Sequence, residues 1–500
     1  MNLPLIAQVE VEAFSGDLLE SACDCLVIAI GDSNALSSTA VKLDRLTEGW
    51  LSRAIQSGSI KTSFGELTLM PMLPGPVATE RSPRCLLWAG LGDPAKLDRG
   101  KAFEWGATVT RRLSDARRER IGISLDGLGN RELDDAVVAG AISGCDGQSI
   151  YMSEPKVIAP ARIEIAGVSA EAIRRGKTIG DSINVARRLV NEPPNRIYPE
   201  SFADAATAIA SDVGLEVVVW DEKRLAAEGC RAILAVGQAS ARPPRLVMMH
   251  HHGAAKSQPP LAIVGKGVTF DSGGLSIKPT EGMADMKCDM AGAATVVGVM
   301  RAIAMLNLPI NVIGLCGLAE NMIGGDAFKL GDVIETRNGI MVEVLNTDAE
   351  GRVVLADVLD VAVQFRPAAI VDLATLTGAC MVALGRDVAG LMTNNEELCS
   401  QIRSSAAEQG EFVWQLPMFG FYGEHIKSKV ADIKNVGDAR WGGAITAAKF
   451  LERFVDDVPW VHIDIAGPAF AESAKPCRDA GATGVMLRTL VGWLSSRAAG

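Results

Sequence analysis

The alternation of strand-length and helix-length apolar segments is the feature that most restricts how this chain can fold. "LAIVG", "NVIGLCGL", "AIVDLA" and "VHIDIAG" are short runs almost free of polar side chains, and between them stand the longer "AGAATVVGVMRAIAML" and "VVLADVLDVAVQF". Strands that are apolar on both faces need cover on both faces, so the pattern predicts an α/β fold with a central mixed, largely parallel sheet flanked by helices. "ETRNGIMVEV" reads as a hairpin, because Asn338 and Gly339 tolerate the positive backbone angles of a tight turn.

The same alternation appears earlier, where "CLVIAIG" and "RCLLWAGLG" are separated from one another by longer mixed segments. At 153–166 two prolines, Pro155 and Pro160, break the periodicity; after them Ala172, Gly176, Ile179, Ile183, Ala186 and Val190 recur at helical spacing until Pro193 and Pro194. A chain of 500 residues exceeds what one core usually serves. The expectation is an N-terminal α/β domain over residues 1–165 and a larger catalytic α/β domain over 166–500.

With 48% hydrophobic residues and a formal net charge of −11, the chain is suited to a large core and ill suited to phosphate backbones or anionic lipid. Nucleic acid is therefore a poor expected partner, and the arginine-dense "RRLSDARRER" (Arg111 to Arg120), with Asp115 and Glu119 interspersed, reads as a solvated helix face. "MNLPLIAQVEVEAF" has no basic segment followed by an apolar one, and reads as a half-buried strand. "AIAMLNLPINVIGLCGLAE" is interrupted by Asn307, Pro309 and Asn311, so no membrane span and a cytoplasmic location are expected. The 10 cysteines are dilute and mostly sit in apolar surroundings, as reduced buried thiols do.

Chemistry is sought in the loops after strands, where ligands of open α/β sheets collect. "VGKGVTFDSGGLSIKP" carries Lys266, Asp271 and Lys278; "MKCDMAGAA" carries Asp289; "NTDAEGR" places Asp348 and Glu350 beside Arg352. Four carboxylates in one buried site would repel one another unless cations compensate, and two divalent ions balance four carboxylates. That is the arithmetic of a two-metal hydrolytic centre. The acids also admit a plainer reading, with Asp289 as a helix cap and Asp348 as a turn residue. His250, His251, His252, His425 and His462 all lie outside these loops, so oxygen ligands, suited to magnesium, manganese or an oxygen-bound zinc, are favoured over imidazole. A lysine such as Lys266 can ligate metal only as a neutral amine.

These stretches, together with "NEPPNRIYP", "ENMIGGDAFKLGDVI", "DLATLTGA", "GGAITAAKFL" and "HIDIAGPA", run in order from Asn191 to Trp493 and resemble the leucyl aminopeptidase (cytosol aminopeptidase) family. The resemblance implies a two-metal exopeptidase, a metalloprotease releasing N-terminal leucine and other bulky apolar residues from peptides. It implies Lys266, Asp271, Asp289, Asp348 and Glu350 as metal ligands, with Asp271 and Glu350 serving both ions. Lys278 is implied as electrostatic catalyst, Arg352 as the holder of a bicarbonate acting as base, and Met286, Thr375 and Gly378 as the lining for the first side chain. Zinc, manganese or magnesium as cofactors, a cytoplasmic homohexamer and an N-terminal α/β domain follow from the same resemblance. Val353 stands where the family commonly has leucine, a conservative core change. Because some members also bind DNA, an accessory or assembly role on DNA is the alternative, and the acidic balance weighs against it.

Overall fold

The computed structural model describes residues 6–32, 36–71, 82–438 and 441–499. The chain divides into two compact units, one of Ile6–Asn184 with Ser473–Ala480, the other of Val185–Glu472 with Gly481–Gly500.

The first unit is built on strands β1 (Glu10–Phe14), β2 (Cys25–Gly31), β3 (Leu67–Pro71), β4 (Cys85–Gly92), β5 (Arg120–Ser124) and β6 (Arg162–Ala166). Their order is β1-β6-β5-β2-β4-β3, with β3 alone antiparallel to its neighbour. "CLVIAIG" contains no polar residue because both its faces are covered: Cys25, Val27 and Ala29 pack with Trp105 and Val109, while Leu26, Ile28 and Ile30 pack with Leu43 and Trp88. The stretch "RRLSDARRER" is not one helix face. The helix Arg99–Leu113 stops within it, Asp115 turns back to pair with Arg112 and Arg118, and Arg120 opens β5.

The expected division at 165/166 falls at the end of β6, whereas the first compact unit continues into the helix Ala170–Asn191. Close packing accounts for the extension: a side chain at Gly176 would stand 2.5 Å from the Asp135 carbonyl and the Val138 Cβ. The excursion Ser473–Ala480 joins the same unit, where the Asp479 carboxylate accepts the Gln148 amide at 2.9 Å and pairs with Arg111.

The second unit carries β7 (Glu216–Trp220), β8 (Arg245–His252), β9 (Leu261–Asp271), β10 (Asn311–Asn321), β11 (Val333–Glu335), β12 (Met341–Glu343), β13 (Ala369–Ala374), β14 (Ala389–Thr393), β15 (Val413–Gln415), β16 (Ile433–Lys434) and β17 (Trp460–Asp464). Eight of these form one sheet in the order β15-β14-β17-β13-β9-β10-β8-β7. Its centre, β17-β13-β9-β10, is parallel. β11 and β12 form the hairpin expected at Asn338–Gly339, with Gly339 at φ 88°. The histidine triplet ends β8. A window within Thr280–Met305 is long and apolar enough to cross a membrane, but 89% of it is buried inside the protein, as in a core helix.

Candidate functional site

β9 runs farther than its apolar start suggests, so Lys266 and Asp271 are strand residues rather than loop residues. The glycines around Lys266 serve close packing: a Cβ at Gly265 would lie 2.6 Å from the Ala293 Cα, and one at Gly267 would lie 2.7 Å from the Gly317 carbonyl oxygen. Lys266 projects towards the first turn of the helix Glu350–Gln364, where Gly351 leaves room for it; a Cβ there would meet the Lys266 Nζ at 2.5 Å.

Two loops are stitched together above the strand ends. Thr347 accepts the Ser276 amide at 2.8 Å and donates its hydroxyl to the Gly273 carbonyl at 2.7 Å. Asn346 accepts the Asp348 amide at 2.9 Å, closing the turn that aims Asp348 inward. Gly273, at φ 84°, holds the other loop in a conformation that L side chains resist. The result is that one carboxylate oxygen from each of Asp271, Asp348 and Glu350 lies within 4.8 Å of the others.

Asp289 joins through Lys266, whose Nζ stands 2.8 Å from Asp289 Oδ1 and 2.9 Å from Glu350 Oε1. It does not cap the following helix, since the N-cap of Ala291–Met305 is Met290 and has no side-chain cap bond. Lys278 Nζ lies 2.8 Å from Asp271 Oδ2 and also pairs with Asp348. All five candidate ligands and Lys278 therefore form one connected cluster. Four carboxylates face two ammonium groups, and Asp289 Oδ2 and Glu350 Oε2 are buried with no hydrogen-bond partner. An excess of buried negative charge with unused oxygen donors fits hard divalent cations.

The charges reflect that imbalance. Burial, reinforced by Glu350, pushes Asp271 up to about 6, and burial pushes Asp289 well above the usual carboxylate range. Asp348 is also raised, by burial against the pull of Lys278. Burial opposes ionisation of Glu350 too, but the adjoining Lys266 ammonium outweighs it and holds that carboxyl low. Burial works against the Lys266 charge, yet Asp289, Glu350 and Asp271 together hold its proton above the ordinary lysine range. In the protein alone Lys266 is thus an ammonium. Positive charge placed among the same carboxylates works the other way, towards the neutral amine that ligation requires.

Arg352 is buried on the same helix and donates to the Asn435 carbonyl at 3.0 Å, while its Nε is buried without a partner. Burial brings its guanidinium down to about 10. Thr375, just after β13, touches the cluster twice: its carbonyl accepts from Lys266 Nζ at 3.0 Å and its hydroxyl donates to Asp289 Oδ1 at 2.7 Å. Met286 is half-buried one short turn before Asp289, whose amide donates to the Met286 carbonyl at 3.4 Å. Gly378 is exposed at the start of the helix Gly378–Leu384, with open space where a Cβ would stand.

Other supports were not evident from the sequence. Asn321 is the ladder partner of Asp271 and donates Nδ2 to its Oδ1 at 2.8 Å and to the Thr347 carbonyl at 2.9 Å. Asn435 donates to the Asn346 carbonyl at 2.7 Å while its own carbonyl receives Arg352. Asp464 accepts the Thr377 hydroxyl at 2.7 Å and the Leu376 amide at 3.3 Å, fixing the loop that begins with Thr375. A polar residue ending an apolar strand run is the one signal that marks Asn321 and Asp464 in the sequence.

The family model described as "Cytosol aminopeptidase family, catalytic domain" matches residues 184–491, and that described as "Cytosol aminopeptidase family, N-terminal domain" matches residues 27–155. A probable cytosol aminopeptidase of Rhodopirellula baltica is 59% identical over 493 residues, covering 98% of this chain and 94% of the relative. One of Aquifex aeolicus is 39% identical over 97% of this chain and 98% of its own. Among solved structures, a tomato leucine aminopeptidase variant is similar with a TM-score of 0.86 at 30% identity, covering 99% of this chain and 98% of that one. The bottromycin maturation enzyme BotP in complex with Mn has a TM-score of 0.82 at 33% identity, covering 95% of this chain and 99% of that one.

Proposed function

The chain belongs to the cytosol aminopeptidase family, a metal-dependent group of aminopeptidases, and from that premise we propose that it is a two-metal exopeptidase releasing N-terminal leucine and other bulky apolar residues from peptides. The observation that carries the reading is the buried excess of carboxylates, with Asp289 Oδ2 and Glu350 Oε2 unpartnered beside Asp271 and Asp348. Lys266, Asp271, Asp289, Asp348 and Glu350 would hold two divalent ions, manganese, zinc or magnesium, which supply Lewis acidity to a peptide carbonyl and acidify a water.

The chain's own residues do the rest. Lys278, kept charged by Asp271 and Asp348, offers a fixed ammonium to the negative charge that develops on the scissile carbonyl oxygen. Arg352, with its Nε free of protein partners, fits an anion such as bicarbonate held to take up a proton. Met286, Thr375 and Gly378 receive the first side chain, whose burial contributes roughly 1.5–3 kcal/mol for leucine. Thr375 ties that subsite to the acids through Asp289, so the side chain and the scissile bond are placed by one loop.

The same reading carries a cytoplasmic homohexamer. Exposed Phe419 and Phe421, stacked with ring centroids 5.7 Å apart, offer a contiguous apolar surface that supports assembly. The test is metal analysis of the purified protein beside its turnover of a panel of aminoacyl amides. Two ions per subunit and fastest release from leucyl amide are expected. No release from any amide with manganese, zinc or magnesium present would end the proposal.

A further inference from the structure

We propose that Cys25 and Cys85 form a peroxide-sensitive thiol pair in the unit built on β1–β6, with Cys85 as the attacking sulfur and Cys25 as the sulfur that resolves it into a disulfide. The strand register places them: Cys25 of β2 is the direct ladder partner of Cys85 of β4, so the two side chains leave the sheet on the same face. Neighbouring strands stand about 4.8 Å apart, within the roughly 4.4–6.8 Å Cα separation that disulfides span.

The two positions differ in access. Cys25 is fully buried, against Val27 and Trp105 in the same cluster, whereas Cys85 lies at the rim of that cluster and is half-buried. The Cys85 thiol donates to the Asp24 carbonyl at 3.2 Å. The Asp24 carboxylate is engaged elsewhere, accepting the Glu119 and Arg120 amides at 2.6 and 3.1 Å and pairing with Arg84 at 3.2 Å. Two charged groups face Cys85: Arg118, whose guanidinium bonds to it and favours the thiolate, and the Asp24 carboxylate, which opposes it.

Electrostatics agree with the geometry. A hydrogen bond from the Cys25 thiol brings Cys85 down to about 7 against the effect of burial, and Arg118 adds to the lowering. The Cys25 thiol is correspondingly pushed up, first by that hydrogen bond and then by burial. The lowering favours the thiolate, the nucleophilic form, at Cys85 rather than at Cys25. At Cys477, the other half-buried cysteine, burial and Glu104 outweigh Arg478 and Lys475 and push the thiol up.

The chemistry balances with hydrogen peroxide as oxidant. The Cys85 thiolate attacks one peroxide oxygen, the O–O bond breaks, hydroxide leaves and a sulfenic acid forms. The Cys25 sulfur then displaces the sulfenic hydroxyl, which departs as water with the thiol proton, and the S–S bond closes. Both sulfurs are oxidised and one peroxide is reduced.

The experiment exposes the full-length protein to a few equivalents of hydrogen peroxide at neutral pH, caps remaining thiols and maps the peptides by mass. A peptide linking Cys25 to Cys85, reversed by dithiothreitol and formed before Cys477 reacts, is the expected result. In Cys25→Ser the sulfenic acid should persist and take up dimedone at Cys85. Recovery of both cysteines as free thiols no more oxidised than buried Cys145 and Cys316 overturns the proposal, as does oxidation of Cys85 without the linked peptide. If Cys25→Ser does not fold, the wild-type map decides alone.

Discussion

Buried carboxylates occur in the second unit in two kinds, and the contrast separates chemistry from architecture. Asp357 accepts the amides of Ala232, Ile233 and Arg337 at 2.8–3.0 Å, and Asp372 accepts the Trp460 indole and the His462 imidazole, both at 2.6 Å. Each of these acids is closed by donors on the protein. Asp271, Asp289, Asp348 and Glu350 share two lysines among four carboxylates, and oxygens of Asp289 and Glu350 are left over. Apart from the half-buried Asp348, both kinds are drawn from the interior; what differs is whether the donors close. A set left open carries a standing desolvation cost, which a bound cation relieves.

The largest effects should come from the open set. Glu350→Ala should drop turnover of leucyl amide below detection and lower the metal content of the purified protein, because Glu350 borders both Lys266 and the Asp271–Asp348 pair. Lys278→Ala should lower kcat about 10²–10³-fold, the usual cost of losing one preorganised charge at a developing oxyanion, while both ions stay bound. Equal metal loss in the two variants would erase the distinction between holding ions and stabilising charge.

The closed set should answer in stability instead. Asp357→Ala leaves three buried amides without their acceptor and should cost about 3 kcal/mol in urea unfolding. At temperatures where the variant is folded, its metal content and kcat should match the wild type. A variant that unfolds normally but loses metal would move Asp357 into the open set and break the comparison.

How much of this was legible in the sequence follows the same line. The open acids could be read because they concentrate charge in an aliphatic chain, Asp271 ending β9 and Glu350 opening a helix; "NTDAEGR" and "FDSGG" announce themselves. The parallel sheet and its covering helices could be read from strands with no polar face. The closing partners could not: Asn321 meets Asp271 only through the β9–β10 register, and Asp464 reaches Thr377 across the β13–β17 pairing. Register depends on tertiary pairing, and a lone asparagine or aspartate ending a strand does not encode it. The strand extension through Lys266 was hidden by Gly265 and Gly267, which punctuate like a loop but exist so that Ala293 and Gly317 can approach. Nothing local marks Ser473–Ala480 as belonging with the first unit, since its anchor is Asp479 meeting Arg111 and Gln148.

The smallest effect sharpens the comparison through pH. His462 is fully buried, its Nδ1 bonded to Asp372 and its ring stacked on Trp460 at 6.2 Å. Burial opposes its charge, but Asp372, with help from Asp464, outweighs burial and the opposing field of Arg352 and raises its pKa above 6.5. A histidine raised on folding is stabilised in its charged form, so its contribution is complete below its unfolded value near 6.5 and disappears as pH climbs through the folded value. Wild-type unfolding free energy should therefore fall over that climb, by on the order of 1 kcal/mol for each pH unit separating the folded from the unfolded value, read from urea midpoints at fixed metal concentration. Asp372→Asn removes the carboxylate that raises the imidazole and should flatten the slope above pH 6.5 while kcat at pH 7.5, about one unit higher, changes less than about twofold. An unchanged slope in the variant would mean that some group other than His462 titrates, and a parallel collapse of kcat would mean that the Asp372 cluster is not closed but is coupled to the chemistry at Arg352.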